Sequence, residues 1–195
     1  KFSVIMSLKA LDRCDIAVII VDVTEGITDQ DVTIAGYAYE RGRGCIIVVN
    51  KWDLVKPLGV TKKLFEEQIK YKCKFLDFAP IIFLSAMTGY NLDSLLPEVE
   101  LVYEEYRKKI STGRLNDCIE KAIERNPLPN YRGNYVKIKY TTQIRSRPPS
   151  IKCFINYPEG VHFSYKRYLL NSIRKAFGFS GTPIKLSFTG KIKKN

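Results

Sequence analysis

VVNKWDL, residues 48–54, closes an unbroken apolar run with an asparagine, a lysine and an aspartate. The run itself, Cys45–Val49 (CIIVV), is β-branched and does not alternate, which suits a parallel strand covered on both faces. Ile16–Val21 (IAVIIV) and Pro80–Leu84 (PIIFL) have the same character. Helical patterns separate the three runs. Residues 28–43 carry Val32, Ile34, Ala35 and Ala38 and close at Gly42 and Gly44; residues 60–74 carry Leu64, Phe65 and Ile69; residues 91–110 carry Leu92, Leu95, Leu96, Val99 and Val102. Strand–helix repeats of about 30 residues are βαβ units. The first half therefore reads as an open, doubly wound α/β sheet. In such sheets the ligand crevice lies beyond the carboxyl ends of the strands. Asn50, Lys51 and Asp53 follow one strand there, and Ser85, Ala86 and Met87 follow the next, so two polar loops are expected to form one pocket floor.

The pattern changes at residues 111–114 (STGR), which reads as a domain joint. Arg114–Arg125 is helical and stops at Asn126-Pro127. Tyr135–Gln143 alternates, with Val136, Ile138 and Tyr140 expected on the apolar side and Lys137 and Lys139 on the other. Ile151–Tyr157 alternates with Ile151, Cys153 and Ile155 inward, and Ile184–Phe188 does so with Ile184, Leu186 and Phe188 inward. Arg147-Pro148-Pro149 reads as a turn. Ser164–Phe177 reads as a helix with Ser164 as N-cap and Phe163 stapled against Tyr168. The order α-β-β-α-β predicts a small α+β domain over 112–195, after an α/β domain over 1–111.

Charge divides the chain at the same place. Residues 1–113 hold 15 Lys+Arg against 16 Asp+Glu, a net of −1, whereas residues 114–195 hold 17 against 4, a net of +13. Four acids in 82 residues is far from interspersed solubilising charge, and a polyanion, nucleic acid first, is the expected partner. The expected contacts are Lys137, Lys139, Lys152 and Lys185 on the outer strand face, with Arg145, Arg147, Lys166, Arg167, Arg174, Lys175 and the tail residues Lys191, Lys193 and Lys194. Such groups would hold phosphates without reading sequence. Part of this surface is alternatively expected to dock on another domain of the same chain.

Five scattered cysteines, none in a C-x-x-C pair, read as reduced thiols, and the lone histidine, His162, reads as structural. Zinc sites and histidine triads are poorly supported; no metal ligand or catalytic residue is assigned. No apolar run is long enough to span a bilayer. Lys1 opens directly into a helical pattern (Phe2, Ile5, Met6, Leu8, Leu11), so a piece of a longer, cytoplasmic chain is expected.

An aspartate in the strand-end crevice suits guanine. That base presents two parallel donors, N1–H and the 2-amino group, and one carboxylate accepts both. Adenine would leave the carboxylate desolvated and unpaired, and sites built this way reject the wrong partner by about 10⁴-fold or more. Asn50 could bond the base edge and tie neighbouring loops. Lys51 could lay its methylene stem on the ring. The backbone N–H of Ala86 could donate to O6, Ser85 could orient Asp53, and Trp52 is expected to point away and pack. The bland alternative makes Asn50 and Asp53 turn and cap formers.

NKWD and SAM resemble the fourth and fifth sequence elements of translation-factor-type GTPases. The wider text, residues 22–42, 46–55, 75–86, 126–143, 148–174 and 176–186, resembles the bacterial EngA (Der) family. The resemblance implies tandem GTPase domains, a P-loop GTPase-type sheet, and a C-terminal KH-like domain. It also implies GTP or GDP as ligand and a role in assembling the large ribosomal subunit on its rRNA. This chain would be the later part of the second GTPase domain plus the KH-like domain, with the other GTPase domains of the same chain as partners. Asn50, Lys51 and Asp53 fall on the family's guanine-specificity positions, and Ser85 and Ala86 on the supporting loop.

The sequence departs from the pattern too. It contains no G-x-x-x-x-G-K-[ST], and no D-x-x-G before the first strand. Phosphate chemistry and magnesium are thus expected only with an N-terminal part. The one G-x-x-G, Gly178-Phe179-Ser180-Gly181, falls after the last helix, not between two helices as in KH domains, and is expected to end that helix. Three readings compete: the C-terminal part of a GTP-hydrolysing assembly factor, an RNA-binding KH-like module on a remnant α/β scaffold without enzymatic activity, and an unrelated α/β enzyme.

Overall fold

The computed structural model describes residues 2–55, 59 and 61–190, and for residues 2–5 and 7 the backbone alone. The positions named above at Val60, Lys191, Lys193 and Lys194, and the side chains of Phe2 and Ile5, lie outside the described residues. Two compact units form: Lys1–Tyr106 with Ser180–Pro183, and Arg107–Phe179 with Ile184–Asn195.

The first unit holds a parallel sheet in the order β1 (Ile16–Asp22), β2 (Gly44–Asn50), β3 (Ile81–Phe83). Helices α1 (Phe2–Arg13), α2 (Asp29–Glu40), α3 (Lys62–Lys72) and α4 (Leu95–Arg107) surround it. Ile47 and Val49 of β2 join the core beneath α2 and α3, while Ile46 and Val48 pack with Val102 of α4 on the opposite face. The central strand is thereby buried on both faces, as its unbroken apolar run requires. Helix α2 starts where Thr28 and Asp31 form a reciprocal capping box, and Gly42 beyond its end takes φ +72.

β1 departs from the expectation of cover on both faces. Ala17, Ile19 and Val21 are buried, but Val18 and Ile20 are exposed, Ile20 by 61%. On that second face Ile16, at the start of the strand, packs with the cluster of Ile46, Val48 and Val102, while Val18 and Ile20 stay exposed. An apolar run reports what a strand could bury, not how many neighbours it has.

The second unit follows the order α5 (Thr112–Arg125), β4 (Ile138–Ser146), β5 (Pro149–Ile155), α6 (Phe163–Phe177), β6 (Lys185–Thr189). β4 and β5 are antiparallel, β5 and β6 parallel. Leu115, Ile119 and Ala122 of α5 and Tyr165, Leu169 and Ile173 of α6 close over Ile151, Cys153, Ile155 and Leu186 of the sheet. Two tyrosines fasten the helices: Tyr168 Oη donates to the Ala122 carbonyl (2.7 Å) and Tyr165 Oη to the Asn126 carbonyl (2.6 Å).

Two local expectations fail here. A bulge between Ile138 and Tyr140 shifts the register of β4. It turns Tyr140 out of the apolar face and puts Thr141 inside instead, fully buried. And α6 is capped by His162, whose Nδ1 accepts from the Ser164 N–H, not by Ser164. Phe163 then becomes the first helical residue; it lies 69% exposed against the His162 ring, and no staple to Tyr168 forms. Gly178 ends α6 with φ +85, its N–H donating to the Arg174 carbonyl at 2.8 Å. Among the described residues no helix is long and apolar enough to cross a membrane.

Candidate functional site

β2 runs in register between β1 and β3, so Asp22 stands beside Asn50, and Val49 beside Phe83. The three strands therefore deliver their following loops to one rim. The chain leaves β2 through Lys51, which adopts φ +62, and then makes a 3₁₀ turn, Trp52–Leu54. A left-handed non-glycine costs of order 1–3 kcal/mol and persists where surrounding bonds hold it. Here the Trp52 N–H donates to the Leu84 carbonyl (3.1 Å), and the Lys51 Nζ reaches Asp22 Oδ2 at 2.5 Å.

Asn50 joins the two polar loops. Its Oδ1 accepts the Ala86 N–H at 3.0 Å across 36 positions of sequence. The tie was foreseen for Asn50, and it engages the Ala86 N–H, the donor expected to meet a base oxygen. Ser85 is fully buried and its Oγ accepts the Thr88 N–H (3.2 Å), which ties it to its own loop; among the described residues it makes no bond to Asp53. Asn91, at φ +55, donates from Nδ2 to the Phe83 carbonyl (2.9 Å) and fixes the far end of that loop. Met87 is 93% exposed at the loop tip. Trp52 turns inward and stacks edge-on against Phe83, ring centres 4.5 Å apart, as expected. Asp53 is exposed, and among the described residues no group bonds its carboxylate.

Asp22 is the functional candidate that sequence reading missed. It accepts from Lys51 and, through Oδ1, from the Thr24 N–H (2.9 Å) and hydroxyl (2.7 Å). These bonds, with the Lys51 ammonium first, hold its carboxyl down at about 2 and push the Lys51 ammonium up. The signal was present: IAVIIVD also ends an apolar run on a carboxylate, one strand before NKWD. Lys51 is accordingly not a free cation with its head in water alone.

The basic residues of the second unit separate onto two opposite layers. Lys152 and Lys185 stand on the open face of the sheet, with Arg145 opposite Ser150 on the same face. Lys137 and Lys139 are exposed at the start of β4, and Arg147 sits in the turn before β5. Lys166, Arg167 and Lys175 are exposed on α6, in the helical layer. Arg174 is half-buried, and its guanidinium donates to the Phe179 carbonyl at 2.7 Å, closing the end of α6. The helical layer also holds Arg114, Lys121 and Arg125, which border a cleft of about 400 Å³ with Lys175. The sequence reading named basic residues of α6 but passed over these three, whose nearness to Lys175 depends on how α5 packs beside α6. Among the described residues, no group of three or more metal-ligating side chains comes together.

Residues 2–105 match the elongation factor Tu GTP binding domain, and residues 109–189 match the KH-domain-like region found at the C-terminus of EngA bacterial GTPase enzymes. The chain is 49% identical over 191 residues to GTPase Der of Geotalea daltonii, covering 98% of this chain and 43% of that one. It is 47% identical over 195 residues to GTPase Der of Citrifermentans bemidjiense, covering 100% and 44%. It thus spans under half the length of these curated relatives. A crystal structure of Era in complex with MgGDPNP and nucleotides 1506–1542 of 16S ribosomal RNA aligns with 94% of this chain and 67% of that chain, at 21% identity and a TM-score of 0.42. With an elongation-factor-type GTP-binding domain followed by the EngA KH-like domain, the chain belongs to the EngA (Der) family of GTPases.

Proposed function

We propose that the first unit is the base-reading half of a guanine-nucleotide site and that the second is an RNA-binding unit. Both would serve a GTP-hydrolysing protein that assists assembly of the large ribosomal subunit in the cytoplasm. The observation that carries the nucleotide half is the Asn50–Ala86 bond, which locks two strand-end loops together beside an exposed Asp53 carboxylate that no described residue bonds. That carboxylate can accept N1–H and the 2-amino group together. Asn50 spends its oxygen on Ala86 and keeps its amide hydrogens for the base edge. The Lys51 stem, anchored at its head by Asp22, is a ready apolar shelf. O6 would share the Ala86 N–H with Asn50. Magnesium and the phosphates fall to the segment carrying the phosphate loop, and no residue here is assigned to them. The RNA half rests on the net charge of +13 in residues 114–195.

The test is Asp53→Asn in the full-length protein. GTP affinity should fall by about 10⁴-fold, because the amide cannot accept both donors. Xanthine nucleotides, whose 2-oxo group accepts from the new amide, should gain. Unchanged GTP affinity overturns the assignment. The second reading, an RNA-binding module without enzymatic activity, is favoured for these 195 residues alone by the lack of a G-x-x-x-x-G-K-[ST] motif in them. It expects RNA binding and no GTP turnover from this chain.

A further inference from the structure

The bulge that expels Tyr140 from the core gives it a partner. Tyr140 pairs with Phe154 across β4 and β5, and their ring centres are 5.8 Å apart with planes inclined at 38°. Neither ring is buried: Tyr140 is 44% exposed and Phe154 38%. Two large aromatics on an open sheet face need a reason, because both could have been threonines at no cost to the core.

Register shows what surrounds them. Lys152 lies two residues before Phe154, about 7 Å along the same strand and on the same face. Ser187 stands beside Lys152, Lys185 beside Ser150, and Arg145 across from Ser150. None of the four acids of residues 114–195 lies on a strand: Asp117, Glu120 and Glu124 are on α5, where Glu120 and Glu124 border a cleft of about 660 Å³ that Tyr140 also lines, and Glu159 is in the 3₁₀ turn Pro158–Gly160. The face therefore combines exposed π-surfaces with cations and hydroxyls, its strands carry no acid, and the two glutamates of α5 lie beyond its Tyr140 edge.

Building on the RNA-binding reading above, we infer that the open face of the β4-β5-β6 sheet is a stacking platform for single-stranded RNA. Tyr140 and Phe154 take unpaired bases, while Lys152, Lys185 and Arg145 hold the flanking phosphates. Base–aromatic stacking tolerates any base, since each has a π-face. Duplex RNA can set phosphates on the cations but cannot stack on the rings, because its bases are already paired and stacked inside the helix. An apolar protein partner would leave the three cations unpaired at its interface, which disfavours that occupant.

The test uses the whole chain and two probes, a labelled single-stranded oligouridine and an RNA duplex of equal length, titrated at several salt concentrations. Tyr140→Ala and Phe154→Ala should each weaken oligouridine binding by about 5- to 100-fold. Tyr140→Leu and Phe154→Leu, which keep apolar bulk without the ring, should do the same. All four should leave duplex binding and the salt slope unchanged. Lys152→Ala with Lys185→Ala should weaken both probes and flatten the oligouridine salt slope by about 1.4. If the aromatic variants bind oligouridine like the parent while the lysine pair does not, the platform is overturned and phosphate binding stands. If the parent binds neither probe at low salt, the RNA reading itself falls. If the parent self-associates in sedimentation, and the aromatic variants dissociate without loss of RNA affinity, the face is a protein contact and the platform is again overturned.

Discussion

The two sheets of this chain offer their functional groups in different ways. In the parallel sheet the candidate groups sit at strand ends and in the loops that follow, while β2 is buried from Gly44 to Val49. In the mixed sheet they sit on the strands themselves, back to back with the core. Phe154 lies between Cys153 and Ile155, both buried, and itself faces out. A parallel strand covered on both faces has no free face to present and must work at its rim. An open sheet has a whole surface free, and one bulge decides which residues occupy it.

The comparison is sharpest where neighbours on one strand should behave oppositely. Ile151→Ala removes a fully buried side chain beneath both helices of the second unit and should cost about 2–5 kcal/mol, read as a lower urea midpoint. Phe154→Ala, three residues later on the outer face, should cost within about 1 kcal/mol. Equal losses would mean that the outer face is packed, and the distinction between the two sheets would break.

Much of this was legible before any coordinates. Three unbroken apolar runs specified a parallel sheet, because few other structures bury β-branched residues on every side. Lysines alternating with isoleucines located the inner faces of β5 and β6. What stayed hidden depended on single residues. The bulge in β4 follows from no pattern in KIKYTTQ, since tyrosine suits either face of a strand. The exposure of Val18 and Ile20 depends on what packs over that face of β1, which its own letters cannot report. At the candidate site, residue types were legible and their bonds were not. Asn50, Lys51 and Asp53 stood out by position, but that Asn50 would take the Ala86 N–H, and that Asp22 would hold Lys51, required register between strands 34 and 28 positions apart.

That register suggests a smaller test of the rim. Asn50→Ala removes the acceptor of the Ala86 N–H and should cost about 1–3 kcal/mol. Hydrogen exchange at Ala86 should accelerate, with the amides of the second unit unaffected. Asn116→Ala is the corresponding change in the other unit. Asn116 donates to the Thr141 carbonyl and accepts its N–H, both at 2.9 Å, and so completes the free edge of β4. Its loss should expose that edge, by about the same free energy, to exchange at Thr141. If Asn50→Ala instead loosened both units equally, the rim bond would not be local to its loops.

The smallest effect concerns charge at the rim. Asp22 titrates at about 2 in the folded chain, held down first by its bond to Lys51, while an aspartate in an unfolded chain titrates at about 3.9. A carboxyl with a depressed folded value stabilises the fold above the unfolded value, and that contribution is lost as pH falls from about 4 through about 2. Lys51→Met removes the ammonium and leaves the bonds from Thr24. The Asp22 titration, followed by carboxyl NMR, should then move up toward the ordinary range without reaching it. The acid limb of the stability curve should flatten between those two values, with stability near neutral pH almost unchanged, since exposed ion pairs contribute little there. An Asp22 that still titrated at about 2 would assign its depression to Thr24 alone. Lys51 would then be free to move when a base arrives, and the anchored shelf proposed beneath that base would be lost.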